Sequence, residues 1–306
     1  MNKTIKKAIK YGISSALYRV SPDAFDQFRE AVTRRSMRQW PGQESLDVID
    51  ACVAQYGLEV HEGPFAGMKY VRTATGSSFL AKLIGSYECE LHPLLRELLA
   101  TPYESVVDVG CAEGYYAVGF ARCGKAKRVY AFDTDAEARL LCRRLASLNG
   151  MDDRVVVRGE CNPETMEAVL KQGRSLVICD CEGYEMVLLD PERAPSLRNA
   201  DVLVELHDCF NPEISPVMLP RFEATHDLLP YPHDSPATGG VRTAGIPDRR
   251  AAARRPGRGS PAGRDAVGLP ARPGSRRGPC LRLLNVVNQQ PLCGSNSPGG
   301  YSRFLS

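Results

Sequence analysis

No run of apolar residues in this 306-residue chain approaches the ~20 that a membrane-spanning helix requires. The basic N-terminus, with Lys3, Lys6, Lys7 and Lys10, leads into YGISSALYRV rather than a long apolar segment, so neither a membrane span nor a secretion signal is expected. Lysine is missing altogether from Pro230 to Ser306, where twelve Arg and three acids give +9; against a chain total of +3, that leaves −6 for residues 1–229. The same stretch holds eleven of the 22 prolines, so it is poorly suited to helix or central strand. A disulfide framework is also lacking. The eleven cysteines are odd in number and sit mostly singly among strand-like residues, which reads as reduced thiols in a cytoplasmic protein.

What is present suffices for a core: 43% hydrophobic and 25% charged residues suit one large or two modest soluble domains. The chain is organised around Val106 to Tyr116, VVDVGCAEGYY. Val106, Val107 and Val109 form a β-branched run too brief for a helix, hence a buried strand ending at Gly110. Gly110, Ala112 and Gly114 then make a tight loop that includes Cys111, and Tyr116, Phe120 and Ala121 recur at helical spacing. Strand, glycine turn and helix together bring a ligand close to backbone N–H groups at a helix start.

Asp108 decides which ligand. A dinucleotide loop wants a third glycine where Tyr115 stands and cradles a pyrophosphate. A carboxylate close to that phosphate would cost roughly 1–4 kcal/mol. A sulfonium and an α-ammonium would instead be attracted. The acid followed by GxAxG resembles the Class I S-adenosylmethionine-dependent methyltransferases. That resemblance implies S-adenosylmethionine as cofactor, held by Asp108, Gly110, Cys111, Ala112 and Gly114. Asp133 ends the next short strand, RVYAF, about 20 residues beyond the loop, where a carboxylate reaches ribose hydroxyls; Asp135 competes for that role.

From Ser105 the pattern alternates strand and helix, with strands near 106–109, 128–132, 154–158, 175–180 and 201–207. This predicts an α/β fold with a Rossmann-like, doubly wound and mostly parallel sheet. The expected domains are an N-terminal helical extension over 1–57, a core over 58–229 and an Arg/Pro/Gly-rich tail over 230–306. In the extension, Ile5, Ile9, Ile13 and Leu17 at steps of four describe an amphipathic helix whose basic face is either solvated or turned to a membrane surface or acidic partner. A second helix is expected at Leu46–Tyr56, then a strand and turn in LEVHEGPFAGMKYV. The turn Gly85-Ser86-Tyr87-Glu88 precedes a helix around Leu91–Leu99; it either closes over the cofactor, making Tyr87 a binding residue, or simply caps the helix. By the methyltransferase resemblance, Glu160 after the third strand falls near the adenine; an exposed loop acid is the alternative.

The fourth strand runs into SLVICDCEGYEMVLL, which gathers Asp180, Glu182 and Glu185 at a strand's carboxyl end, where open α/β sheets bind ligands. DCEGYE, an apolar helix and then VLVELHD are similar to the FkbM family, whose members carry an Asp-Val-Glu-Gly-type element there; Cys181 replaces the usual apolar residue. GPFAGMKYV and GSYECEL also look like the FkbM-type region before the core, so the resemblance covers roughly residues 60–210. It implies O-methylation of a hydroxyl on a glycan or small natural product. Cys179, Cys181, His207 and Cys209 have residue types that suit zinc, but neither pair has the usual two-residue spacer, and packing is the reading adopted; no metal is expected.

Methyl transfer from a sulfonium is an in-line displacement, so the protein aligns the reactants and removes a proton where the acceptor is a hydroxyl. Asp108 and its loop would seat the methionine part and Asp133 the ribose, leaving Asp180, Glu182 and His207 around the acceptor. Glu182 and His207 are the candidate bases, with a hydrogen-bonded structural role open for His207. A methyltransferase would be expected to finish with an antiparallel pair of strands, yet no hairpin is readable after Leu229, and RLLNVVN from Arg282 supplies one strand at most. The tail reads as a disordered basic segment or as a reading-frame shift in a GC-rich gene. Nucleic acid is not an expected partner, because Ala237–Pro279 has no aromatic or lysine interleaving. Two other readings stay open: a nicotinamide-dependent oxidoreductase, opposed by Tyr115 and Asp108, and an impaired methyltransferase-like product without its final strands.

Overall fold

The computed structural model describes residues 3–39, 46–232 and 280–285. Its centre is a seven-stranded sheet of β1 (Ser105–Val109), β2 (Arg128–Phe132), β3 (Val155–Arg158), β4 (Ser175–Cys179), β5 (Asp201–Leu206), β6 (Asp227–Pro232) and β7 (Cys280–Asn285). The order is β3-β2-β1-β4-β5-β7-β6, and every neighbouring pair is parallel. The topology reverses between β1 and β4, the position beyond whose carboxyl ends open α/β sheets bind ligands. Register sets Val109 level with Phe132 on one side and Cys179 on the other.

Strand alternation divides the core in two. Val106, Val129, Ala131, Leu176, Ile178 and Leu203 face one cluster, while Val107, Phe132, Val177, Cys179, Val202 and Val204 face the other. Burial on both faces explains why the strands read as continuous β-branched runs. Helices α1 (Lys3–Val20), α2 (Pro22–Gln39), α3 (Leu46–Tyr56), α4 (Phe79–Ile84), α5 (His92–Ala100), α6 (Tyr115–Cys123) and α7 (Ala136–Leu148) come first along the chain, interleaved with β1 and β2. They are followed by α8 (Pro163–Leu170), α9 (Glu185–Leu188) and α10 (Ile214–Met218). No helix among the described residues is long and apolar enough to cross a membrane.

Three features differ from the sequence reading. In α1 the apolar stripe is only partly turned inward: Leu17 packs against the core, but Ile9 and Ile13 are 49% and 45% exposed, while Ser14 is fully buried. The reason is polar. Ser14 donates to Glu137 of α7 at 3.0 Å, Lys10 pairs with the same carboxylate at 2.7 Å, and Arg29 of α2 bonds it as well. A buried carboxylate has to be satisfied, and this one fixes the helix's rotation. The expected strand and turn at 58–71 reduces to an isolated antiparallel bridge between Glu59 and Lys69. The sheet also extends past residue 229, with β7 inserted between β5 and β6 as two parallel pairings rather than an antiparallel hairpin. The rest of the Arg/Pro/Gly-rich tail, residues 233–279 and 286–306, lies outside the described residues, and with it the question of disorder or frame shift.

Candidate active site

The loop after β1 is held from three sides. Gly110 and Cys111 both donate their N–H to the Phe132 carbonyl, at 2.9 and 3.0 Å, and Gly114 donates to Cys111 at 2.7 Å. Ala112 N–H goes to Asp133 Oδ2 at 2.9 Å, while Asp133 Oδ1 accepts from Asp135 N–H. Four loop N–H groups are therefore committed inside the protein, which leaves less for a phosphate than the strand–turn–helix pattern promises. Gly110 has φ +83°, and a Cβ there would sit 1.6 Å from the Asp180 carbonyl oxygen, so the loops after β1 and β4 are pressed backbone to backbone.

Asp108 is 3% exposed, and its Oδ2 has no hydrogen-bond partner. Burial, with the charges of Asp180 and Asp133 adding to it, raises its carboxyl to about 7, against the Ala117 N–H and Lys82. Lys82 does not neutralise it, because its ammonium lies 2.7 Å from the fully buried Glu113, which also accepts from Tyr70 Oη at 2.6 Å and Thr75 N–H at 2.8 Å. Glu113 thus ties residues 70–82 to the glycine loop. Tyr87 is half-buried, 4.8 Å from Lys82 Nζ and edge-on to Tyr115. Its neighbour Glu88 accepts from Tyr116, and Asp180 and Glu205 are close enough to act on the Tyr87 hydroxyl.

A second cluster stands beside the first. His207 follows β5, and its Nδ1 lies 2.7 Å from Glu185 Oε1, which also accepts from Gly183 N–H at 3.1 Å. The other ring nitrogen faces Asp180 at 3.6 Å, Glu182 at 3.8 Å and Glu205 at 3.9 Å. Burial alone would lower His207, but the Glu185 hydrogen bond and the surrounding carboxylates outweigh it and carry the imidazole to about 9. Glu205 is pushed up to about 8 by burial and by Asp180, and Asp180 to about 6 by burial and by Glu182, with His207 opposing. Phe210, 54% exposed, stacks on the His207 ring at 5.6 Å. Among the described residues only Glu88, Ala112 and Glu182 are non-glycine residues with positive φ, at +47°, +49° and +57°. They fall in the three loops that meet here, and such backbone strain concentrates at functional sites.

The structure therefore gathers Asp108, Gly110, Cys111, Ala112, Gly114 and Asp133 at the carboxyl ends of β1 and β2. Asp180, Glu182 and His207 lie beside them, and Tyr87 is within electrostatic range. Asp135 instead caps α7, accepting from Glu137 N–H at 2.8 Å. Glu160 is exposed beyond β3. Cys111 turns inward, 5% exposed, and contributes backbone alone to the loop's hydrogen bonding with Phe132. Of the thiol set, Cys179 Sγ and Cys181 Sγ lie 3.5 Å apart in or against the second core cluster, and Cys209 is exposed. The sequence reading passed over Glu205 as a strand residue and Glu113 as part of a turn. Each is an acid next to an otherwise apolar or small-residue stretch, the signal that marked Asp108.

No family model matches the chain. Over 74 residues, 24% of the chain, it is 45% identical to the "Probable cobalt-precorrin-6B C(15)-methyltransferase (decarboxylating)" of Pyrobaculum calidifontis, a match spanning 37% of that relative's length. An O-methyltransferase from Bacillus cereus solved in complex with SAH is 15% identical, covering 56% of this chain and 70% of its own, with a TM-score of 0.28. Coclaurine N-methyltransferase bound to N-methylheliamine and SAH is 16% identical, covering 65% and 62%, also with a TM-score of 0.28. Superpositions that loose carry no weight for fold or chemistry, and the parallel sheet rests on its own strand pairing.

Proposed function

We propose that this protein is an S-adenosylmethionine-dependent methyltransferase of FkbM type that methylates a hydroxyl on a glycan or small natural product. The observation that carries the reading is Asp108 Oδ2, buried at the head of the topological switch point without a partner. An orphaned, desolvated carboxylate is costly unless a cation comes to it. With Asp133, Asp180, Glu182 and Glu205 nearby and Lys82 already taken by Glu113, these strand ends favour a positively charged ligand over a pyrophosphate. The 74-residue stretch shared with a curated methyltransferase supports the same class. The nicotinamide alternative loses ground because four loop N–H groups are spent on protein acceptors.

The cofactor supplies an activated methyl group on a sulfonium. Asp108 would pair with its ammonium and Asp133, which has lone pairs left after two backbone hydrogen bonds, would accept ribose hydroxyls. The exposed Glu160 is suited to the adenine edge, Tyr87 to covering the site. At the acceptor end, His207 donates, and the exposed Glu182, 3.8 Å from its ring, is the general base proposed for the hydroxyl's proton. Phe210 offers a flat apolar wall to a ring. Incubation of the full chain with methyl-labelled S-adenosylmethionine and a panel of hydroxylated sugars and phenolic compounds tests this. Label should transfer to an oxygen and be lost in Glu182→Gln; transfer to nitrogen or carbon alone would remove the O-methylation reading.

A further inference from the structure

Beyond the donor role given to His207, its surroundings have the geometry of a ligand set. The ring is 6% exposed, and its Nδ1 is held by Glu185, itself fully buried. That hydrogen bond orients the ring and turns Nε2 toward Asp180 and Glu205, with the nearest carboxylate oxygen 3.6 Å away, beyond hydrogen-bonding distance. The second ring nitrogen of a nearly buried histidine therefore faces three carboxylates at ion-pairing distance but beyond hydrogen-bonding distance, the spacing an ion between them would bridge. Donor atoms about 2.1 Å from a common ion lie roughly 3–4.2 Å apart. Here Nε2 stands 3.6 Å from Asp180 Oδ1 and 3.9 Å from Glu205 Oε1, and all three atoms lie within 4.8 Å of one another. A carboxylate on the far nitrogen of the ring is also the usual outer support of a metal-bound histidine.

We propose that Asp180, Glu205 and His207 form a divalent-cation site, with Glu185 as the positioning residue behind His207. One nitrogen and two carboxylate oxygens suit Mn²⁺, Fe²⁺, Co²⁺ or Zn²⁺ better than a thiolate-seeking ion. Asp180 is nearly half open at its side chain, and Glu182 lies on the same side at 3.8 Å from Nε2, so coordination positions remain for water or an acceptor oxygen. Binding forms coordination bonds from Nε2 and from one oxygen each of Asp180 and Glu205, and releases to solvent the protons these groups hold. The inference does not rest on the methyltransferase reading, because ion binding is measured with no cofactor present.

The test uses the full chain, stripped with chelator and titrated with Mn²⁺ by electron paramagnetic resonance and calorimetry. A single saturable site is expected, with the His207 imidazole proton signals broadened selectively. Glu205→Gln should weaken binding about tenfold or more, and Glu185→Gln by about 10- to 100-fold through loss of ring orientation. Each variant is first checked for a cooperative melt in chelator; if Glu205→Gln does not fold, Asp180→Asn replaces it. Absence of a saturable site overturns the proposal. So does undiminished binding in a folded Glu205→Gln, or binding lost in Cys209→Ser and kept in Glu205→Gln, which would move the ion to the thiols.

Discussion

Replacing Asp108 with asparagine should make the ligand-free protein less sensitive to alkaline pH while removing its grip on the cofactor. The folded protein holds the Asp108 proton up to about 7, against an ordinary value of 3.8. Between those values the unfolded chain has released a proton that the folded chain retains, so stability falls as pH rises, by about 1.36 kcal/mol per unit. From pH 5 to pH 8 the wild type should lose about 2.7 kcal/mol on this account, two effective units before the folded carboxyl also ionises. The asparagine variant lacks that slope. Its amide leaves a buried donor without a partner, at about 1–3 kcal/mol, but that cost does not depend on pH and cancels from the comparison. Asp180, Glu205 and His207 titrate in both proteins and largely cancel too. Urea denaturation of both, at pH 5 and pH 8 with no ligand, reads the difference directly. If the two proteins lose stability in parallel, Asp108 is not the desolvated acid described here.

Glu113→Gln leaves Lys82 buried without its carboxylate and should destabilise by about 3–5 kcal/mol, whereas the paired change to Lys82→Met and Glu113→Leu should recover much of that in denaturant titrations. Glu137→Ala strands Arg29 in the same way and should free α1 and α2, seen as faster proteolysis within residues 8–36 before the core is cut; unchanged cleavage would contradict the Ser14–Arg29–Glu137 anchor. Gly110→Ala forces a Cβ into the Asp180 carbonyl and a strained φ, so the two loops must part. S-adenosylhomocysteine affinity should drop about tenfold or more, about 1.4 kcal/mol, and wild-type affinity would show that the loops need not touch.

The sheet was legible because strands buried on both faces must be apolar throughout and must end where a glycine or acid intervenes, as at Gly110, Asp133 and Asp180. Asp108 stood out for the complementary reason, as one charge inside such a run. What could not be read is whatever depends on a distant partner. The rotation of α1 is set by Glu137, 123 residues beyond Ser14, rather than by its own isoleucine spacing. Glu205 joins the site only because β4 and β5 pair in the register that sets Cys179 level with Val204. The apolar stretch from Arg282 was readable as a single strand, but that β7 inserts between β5 and β6 depends on two neighbours far back in the chain.

Calorimetric titration of the full chain with S-adenosylhomocysteine bears most directly on whether the loops after β1 and β4 hold a nucleoside through its α-ammonium. One site is expected, with affinity that falls below about pH 7 as Asp108 takes up its proton and that is weakened at least about tenfold in Asp108→Asn. No binding by the wild type, or equal binding by the variant at every pH, would contradict it.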